Sequence, residues 1–215
     1  MKQIRFTLFI ALVLLIAKPT QAQFSAGLFG DFNMANLSGN APSETAYTGR
    51  SGVGGGVIID YKITDEVTIS LQPMFLPKGT TLSYDLPSYK EQRDSAIAKF
   101  DYFTVPLMIK VKATKVVYVT AGLDFGYLQS ANIKQVNSGE INNVKEYVKS
   151  VDISANFGVG LTFEVSAFNL FVEGRYSQGL NNASAFPEGS NTDIPLEFKN
   201  TGMQILFGVL YNFGE

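Results

Sequence analysis

The sequence predicts an all-β fold: an eight-stranded antiparallel up-and-down transmembrane β-barrel, preceded by a cleaved N-terminal signal peptide. Three observations carry the prediction. Apolar residues recur at every second position through eight segments, the period that places side chains on alternate faces of a sheet. The joins between those segments alternate between long and short. Beyond residue 22 there is no run of 18 apolar residues, so no segment reads as a spanning helix.

The first element is a targeting segment. Lys2 and Arg5 precede an uncharged, mostly apolar run from Phe6 to Ala17, and small Thr20 and Ala22 follow, the pattern of an n-region, an h-region and a cleavage site. The run is shorter than the ~20 residues a spanning helix needs. Residues 1–22 therefore read as a signal peptide cut after Ala22, and 23–215 as the barrel domain. Cleavage removes Lys2, Arg5 and Lys18 and no acid, which takes the formal charge from −2 to −5.

Eight strands follow in order, each read with one apolar face. The first sets Phe24, Ala26, Leu28, Gly30, Phe32 and Met34 against Ser25, Gly27, Phe29, Asp31 and Asn33. The second sets Val53, Gly55, Val57, Ile59 and Tyr61 against Gly52, Gly54, Gly56, Ile58 and Asp60. The third sets Val67, Ile69, Leu71, Pro73 and Phe75 against Thr68, Ser70, Gln72 and Met74. The fourth sets Phe103, Val105, Leu107, Ile109 and Val111 against Tyr102, Thr104, Pro106, Met108 and Lys110. The fifth carries Val117 to Tyr127 on odd positions and Asp124 on the other face. The sixth carries Val151 to Phe163 on odd positions and Asp152 opposite. The seventh sets Phe168, Leu170, Val172, Gly174 and Tyr176 against Asn169, Phe171, Glu173, Arg175 and Ser177. The eighth runs Met203 to Phe213 on odd positions. No charge falls on any apolar face, and each strand meets the ~9–11 residues of a tilted membrane strand. Pro73 and Pro106 lie within strands and cannot donate to the ladder, so a bulge or irregularity is expected at each.

The joins 62–66, 112–115 and 164–167 are tight, whereas 36–50, 77–100, 129–149 and 180–200 are long and polar. Outer-membrane barrels have this asymmetry, with short periplasmic turns and long external loops. Tyr61, Phe163, Phe168, Tyr211 and Phe213 fall at the short-turn end of the apolar faces; Phe32, Phe75, Phe103, Tyr127 and Tyr176 fall at the long-loop end. These are the two aromatic belts of a membrane protein, here without Trp. A short helical turn is expected between Ile141 and Val148.

Composition narrows the chemistry. The chain has no His and no Cys, which removes the commonest general base, disulfides and thiolate sites. A negative charge argues against nucleic acid as a partner. No cofactor and no catalytic residue is expected. Asp31, Lys110, Asp124, Asp152, Glu173 and Arg175 share the inward face and form a candidate interior charge network. Such a network serves either as a carboxylate site or as an ion-pair core that plugs a narrow barrel, and eight strands leave little room for substrate. The run Gly54-Gly55-Gly56 has no Lys-Ser/Thr after it and lies in a strand, so it is not a phosphate loop. The long loops are the expected functional surface, since function concentrates on loops held by a rigid scaffold.

The segments Leu71-Gln72-Pro73-Met74-Phe75, Asp101 to Lys110, Ala121 to Tyr127 and Gly174 to Leu180 resemble, in order and spacing, the PorT-like outer-membrane β-barrel family. That resemblance implies a small integral barrel of a Gram-negative outer membrane, whose founding relative is linked to a protein secretion system. It also implies a C-terminal strand read by the barrel-assembly machinery, here with Phe213 followed by Gly214 and Glu215. The reading is thus a non-enzymatic outer-membrane barrel with a structural, adhesive or secretion-associated role. Its expected partners are outer-membrane lipid, the assembly machinery during biogenesis, and an envelope or secretion-system protein; closure makes a monomer sufficient. The competing readings are a soluble periplasmic lipocalin-like barrel with the faces reversed, a carboxylate-dependent outer-membrane enzyme, and a small channel.

Overall fold

The computed structural model describes residues 23–39, 45–85, 93–185 and 197–213. Residues 1–22, expected to be a signal peptide, lie outside them, as do Gly214 and Glu215. The strands are β1 (Phe24–Gly39), β2 (Thr45–Thr48), β3 (Arg50–Lys62), β4 (Val67–Leu71), β5 (Met74–Asp85), β6 (Arg93–Lys112), β7 (Val117–Gln135), β8 (Ile141–Asn143), β9 (Val151–Val165), β10 (Phe168–Gly179) and β11 (Phe198–Phe213). They build eight antiparallel staves, because β2 extends the β3 stave upward, β4 and β5 are one stave, and β8 lies beside the upper end of β7. β1 pairs with β3 on one side and with β11 on the other, which closes the ring.

Register fixes the geometry. Val117 pairs with Leu161, Leu161 with Val172, Val172 with Phe207, Phe207 with Gly30, Gly30 with Gly55, Gly55 with Phe75, Phe75 with Phe103, and Phe103 with Tyr127. One circuit therefore returns to β7 ten residues above its start. A stagger of ten over eight strands, with ~3.3 Å per residue and ~4.8 Å between strands, gives a tilt of about 40° and a wall radius of roughly 8 Å. Side chains fill such an interior.

The period-two faces hold around the whole ring. Leu28, Val53, Ile109, Val159, Leu170 and Phe207 are exposed on the outside, and Phe29, Ile58, Met108, Tyr118, Phe171 and Leu206 are buried within. The lipocalin-like arrangement is the inverse of this and is overturned. At the short-turn rim Phe24 packs on Tyr61, and Tyr211 packs edge-on against both Phe168 and Phe213, with centroids 4.9–5.4 Å apart. Phe168 and Tyr176 are eight residues apart on β10, as are Phe24 and Phe32 on β1. At this tilt eight residues rise about 20 Å, close to the ~25 Å apolar band of such barrels.

Two of the short turns share one design. Thr64 Oγ1 accepts from the N–H groups of Glu66 and Val67, and Thr114 Oγ1 accepts from those of Val116 and Val117. A threonine side chain thereby closes a turn that is too short for its backbone to satisfy alone. The third turn is Ser166-Ala167, with Ser166 at φ 54°.

The long joins differ from expectation. Much of 77–100 is strand, since β5 runs to Asp85 and β6 starts at Arg93. β1 likewise runs to Gly39, β7 to Gln135, and β11 starts at Phe198. The staves continue past the membrane band because ladder bonding between β5, β6 and β7 is independent of what faces outward. Residues 40–44, 86–92 and 186–196 lie outside the described residues. The turn expected in 141–148 is a 3-10 turn, Lys145–Tyr147, after the short strand β8.

The irregularity expected at the two prolines is a gap in the ladder between their staves, not a bulge. At Gln72 and Pro73 the ladder is interrupted without a change of register. Val57 N–H donates to Pro73 O and Gln72 N–H donates to Pro106 O, while neither proline has an N–H to return. Pro106 stays in unbroken register with Asp124 on β7. The register shift of the barrel lies higher, where Tyr102 pairs with Leu128 and Asp101 with Ser130. Gln129 is the extra residue, and above it the buried positions of β7 change parity, from Leu128 to Ala131.

Candidate functional site

The interior holds its polar groups in three tiers. At the periplasmic mouth Lys110 Nζ meets Asp60 Oδ2 at 2.9 Å, with the rings of Tyr118 and Phe171 5.7 and 5.5 Å away. A cavity of about 110 Å³ opens there, with Lys62, Lys112 and Glu164 at its rim.

The middle tier centres on Glu173, which is fully buried. Its Oε1 accepts from Arg175 Nε at 2.8 Å and its Oε2 from the Tyr118 hydroxyl at 2.9 Å. Arg175 reaches across the barrel and donates from Nη2 to Gln72 Oε1 at 2.7 Å, and Gln72 Nε2 donates to Ser70 Oγ at 2.9 Å. Gly160 makes room for this: a Cβ there would stand 2.2 Å from the Tyr118 ring.

In the upper tier Lys78 Nζ lies 2.7 Å from Asp152 Oδ2 and 3.2 Å from Asp124 Oδ2, and 5.4 Å from the centre of the Tyr102 ring. Asn200 Nδ2 donates to Asp152 Oδ1 at 2.9 Å and Ser154 Oγ to its Oδ2 at 3.1 Å. Above this tier an apolar cluster caps the barrel. Leu37, Phe100, Leu128 and Phe198 from the staves enclose Val148 and Ala183 from the loops. Those two loops are laced together: Lys149 N–H donates to Ala183 O, Ala185 N–H to Tyr147 O, and Val148 bridges Ser184.

All six residues of the candidate network lie inside the barrel, but they are not one network. Lys110 belongs to the lower tier, Glu173 and Arg175 to the middle, and Asp124 and Asp152 to the upper. Asp31 stands apart, 1% exposed, with no hydrogen-bond partner for either carboxylate oxygen among the described residues. The tiers depend on two further charges, Asp60 and Lys78. Lys78 escapes the sequence reading because it falls in 77–100, taken there as loop. The signal for it is the inward parity of Gln72, Met74, Leu76 and Lys78, which continues through that stretch.

The described carboxylates inside the barrel, Asp31 excepted, are engaged by a cation or a hydroxyl. The mouth cavity is well below the ~300 Å³ of small-ligand pockets. Among the described residues no group of metal-ligating side chains gathers.

A family model described as "Outer membrane protein beta-barrel domain" matches residues 19–185. No curated protein matches the chain. Among solved structures the chain is similar to the attachment invasion locus protein Ail of Yersinia pestis, at 11% identity and TM-score 0.45, covering 89% of this chain and 99% of that one. It is similar to Neisserial surface protein A at 13% identity and TM-score 0.46, covering 88% and 97%. It is also similar to OprG from Pseudomonas aeruginosa at 12% and 0.44, covering 90% and 97%.

Proposed function

The chain belongs to the outer membrane protein β-barrel domain family, and from that premise we infer that it is a closed, non-enzymatic barrel of the outer membrane that acts through its external rim, in an adhesive or structural role. The observation that supports this is the filled interior. Three tiers of ion pairs and an apolar cap occupy the lumen from the periplasmic mouth to the external one, so substrate has no place beside the carboxylates and solutes have no wide path. What projects beyond the membrane is the extended wall of β5, β6 and β7, edged by β2 and β8. Exposed Val136 and Ile141 stand near the upper end of β7 and on β8, where apolar surface faces water rather than lipid.

The test replaces residues 136–140, the join between β7 and β8, with a two-residue turn. The variant should keep the gel-mobility shift on boiling that marks a folded barrel, and cells carrying it should lose attachment to a surface or to a co-purifying envelope protein. Attachment unchanged by this and by matching changes in the other external joins would refute the rim as the working surface. In planar bilayers the wild-type barrel should show no steady conductance. A stable ohmic pore would favour the channel reading.

The four segments that resemble PorT-like barrels support a second reading, association with a protein secretion system. A deletion strain whose secreted proteins are unchanged would remove it.

A further inference from the structure

We propose that Met34 and Met203 form an oxidation site at the external rim, a thioether pair that takes up oxygen from a dissolved peroxide while the barrel stays folded. The chain has five methionines. Met1 lies outside the described residues, and the other four divide cleanly. Met74 and Met108 are 1% and 0% exposed inside the barrel, whereas Met34 and Met203 are 44% and 57% exposed on its outer wall. The two outer ones are direct partners, Met34 on β1 opposite Met203 on β11. Side chains opposite each other in an antiparallel pair have Cβ atoms ~4.5–5.5 Å apart. The two thioethers are therefore one patch, on the seam where β1 and β11 close the ring.

The pair stands where the apolar band ends. Met34 lies two residues beyond Phe32, and Met203 pairs with Tyr176 on β10; Phe32 and Tyr176 both belong to the external aromatic belt. Two residues rise about 5 Å at this tilt. Polar groups occupy the same row and the next. Exposed Ser51 on β3 is the other partner of Met34. The Tyr176 hydroxyl donates to Gln178 Oε1 at 2.8 Å, and Thr201 Oγ1 donates to the Tyr176 hydroxyl at 3.3 Å. A small oxidant dissolved in the surrounding water therefore meets the sulfurs without crossing hydrocarbon. The other exposed large apolar side chains of the described residues are Leu, Ile, Val, Phe and Tyr, none of which carries a thioether.

The reaction balances between the pair and the oxidant. A sulfur lone pair attacks one oxygen of hydrogen peroxide, the O–O bond breaks, an S=O bond forms, and the protons collect on the departing oxygen as water. Each thioether loses two electrons and becomes a sulfoxide, so the pair consumes two peroxide molecules. A sulfoxide is polar, and polar groups on the wall cost far less near the interface than at the bilayer midplane. The interior methionines have no such latitude. A Cβ at Gly122 would stand 2.7 Å from Met108 Sδ, and one at Gly56 would stand 2.7 Å from Met74 Cβ. Each is pressed against the backbone of a neighbouring stave, which leaves no space for an added oxygen. Oxidation is thus directed to the two methionines whose change the fold tolerates.

The test treats the full barrel, folded in lipid vesicles, with hydrogen peroxide and locates the added oxygen by peptide mass mapping. Met34 and Met203 should each gain one oxygen, roughly tenfold or more faster than Met74 and Met108, since susceptibility follows exposure. In the urea-unfolded chain the four should react alike. The oxidised barrel should keep its gel-mobility shift on boiling. Protection of Met34 and Met203 equal to that of Met74 and Met108 would bury the pair in hydrocarbon and overturn the proposal. Loss of the mobility shift once the outer pair is oxidised would overturn it as well, because the fold would not tolerate the change. The double variant Met34→Leu with Met203→Leu keeps side-chain volume, so it should fold as the wild type does and take up no oxygen while folded. Undiminished uptake by that variant would place the oxidation elsewhere and overturn the assignment.

Discussion

Lys78 is the side chain on which the upper tier depends, and Lys78→Met isolates its charge. Methionine keeps an unbranched stem of similar length and removes the ammonium. In the folded barrel that ammonium is the one cation within 4 Å of Asp152 and of Asp124 among the described residues, at 2.7 and 3.2 Å. Asp152 would retain Asn200 and Ser154. Asp124 Oδ1 already lacks a partner, so Asp124 would be left with none. Breaking a buried pair by removing one member costs about 3–5 kcal/mol, a factor of about 10² to 10³ or more in the unfolding equilibrium. The assay is urea unfolding in lipid vesicles, read by the gel-mobility difference between folded and unfolded barrel. The control is Lys62→Met: Lys62 pairs with Asp65 at 3.9 Å in an exposed short turn, and its loss should cost under about 1 kcal/mol. Adding Asp124→Asn and Asp152→Asn to Lys78→Met should restore most of the stability, because it is the uncompensated carboxylates that destabilise. If Lys78→Met behaved like Lys62→Met, the upper tier would not be the dry, paired cluster described here.

Three other outcomes are expected. Gly160→Ala places a methyl 2.2 Å from the Tyr118 ring and should destabilise the barrel by about 1–3 kcal/mol, with partial recovery on adding Tyr118→Leu; an unaffected unfolding midpoint would contradict the packing. On β9, Val159→Lys in the middle of the lipid face should cost about 2–4 kcal/mol in vesicles and Val165→Lys at the short-turn rim about 0–1 kcal/mol, so equal costs would mean the apolar band is misplaced. N-terminal sequencing of the protein from outer-membrane fractions should begin at Gln23, and a sequence beginning at Met1 would remove the signal peptide.

The faces of the barrel are legible in the sequence because two constraints coincide on the same residues. A strand has a period of two, and lipid tolerates no charge on one of its faces. Val53, Val57 and Ile59 against Asp60, or Leu170 and Val172 against Glu173 and Arg175, satisfy both, and each such parity is found in the structure. Where lipid ends the second constraint lapses. Pro77, Gly79 and Thr81 carry no outward apolar signal, so Lys78 between them looks like loop although its stave continues. The ladder gap at Gln72-Pro73 is visible as a proline in a strand. The bulge at Gln129 has no such marker, since an ordinary glutamine supplies the extra residue.

Sequence alone determined eight amphipathic strands around a polar interior, and which side chains enter that interior within the apolar band, because both follow from local alternation and from the solvent on either side of the wall. It could not determine which of those side chains meet. Arg175 bonds Gln72 across 103 residues of chain, and Lys78 reaches Asp152 across 74, between staves that are not neighbours. Those meetings depend on the ten-residue stagger, which sets the height of every inward residue and is a property of ring closure rather than of any one strand. That stagger separates one list of interior charges into three paired tiers and leaves Asp31 without a direct partner.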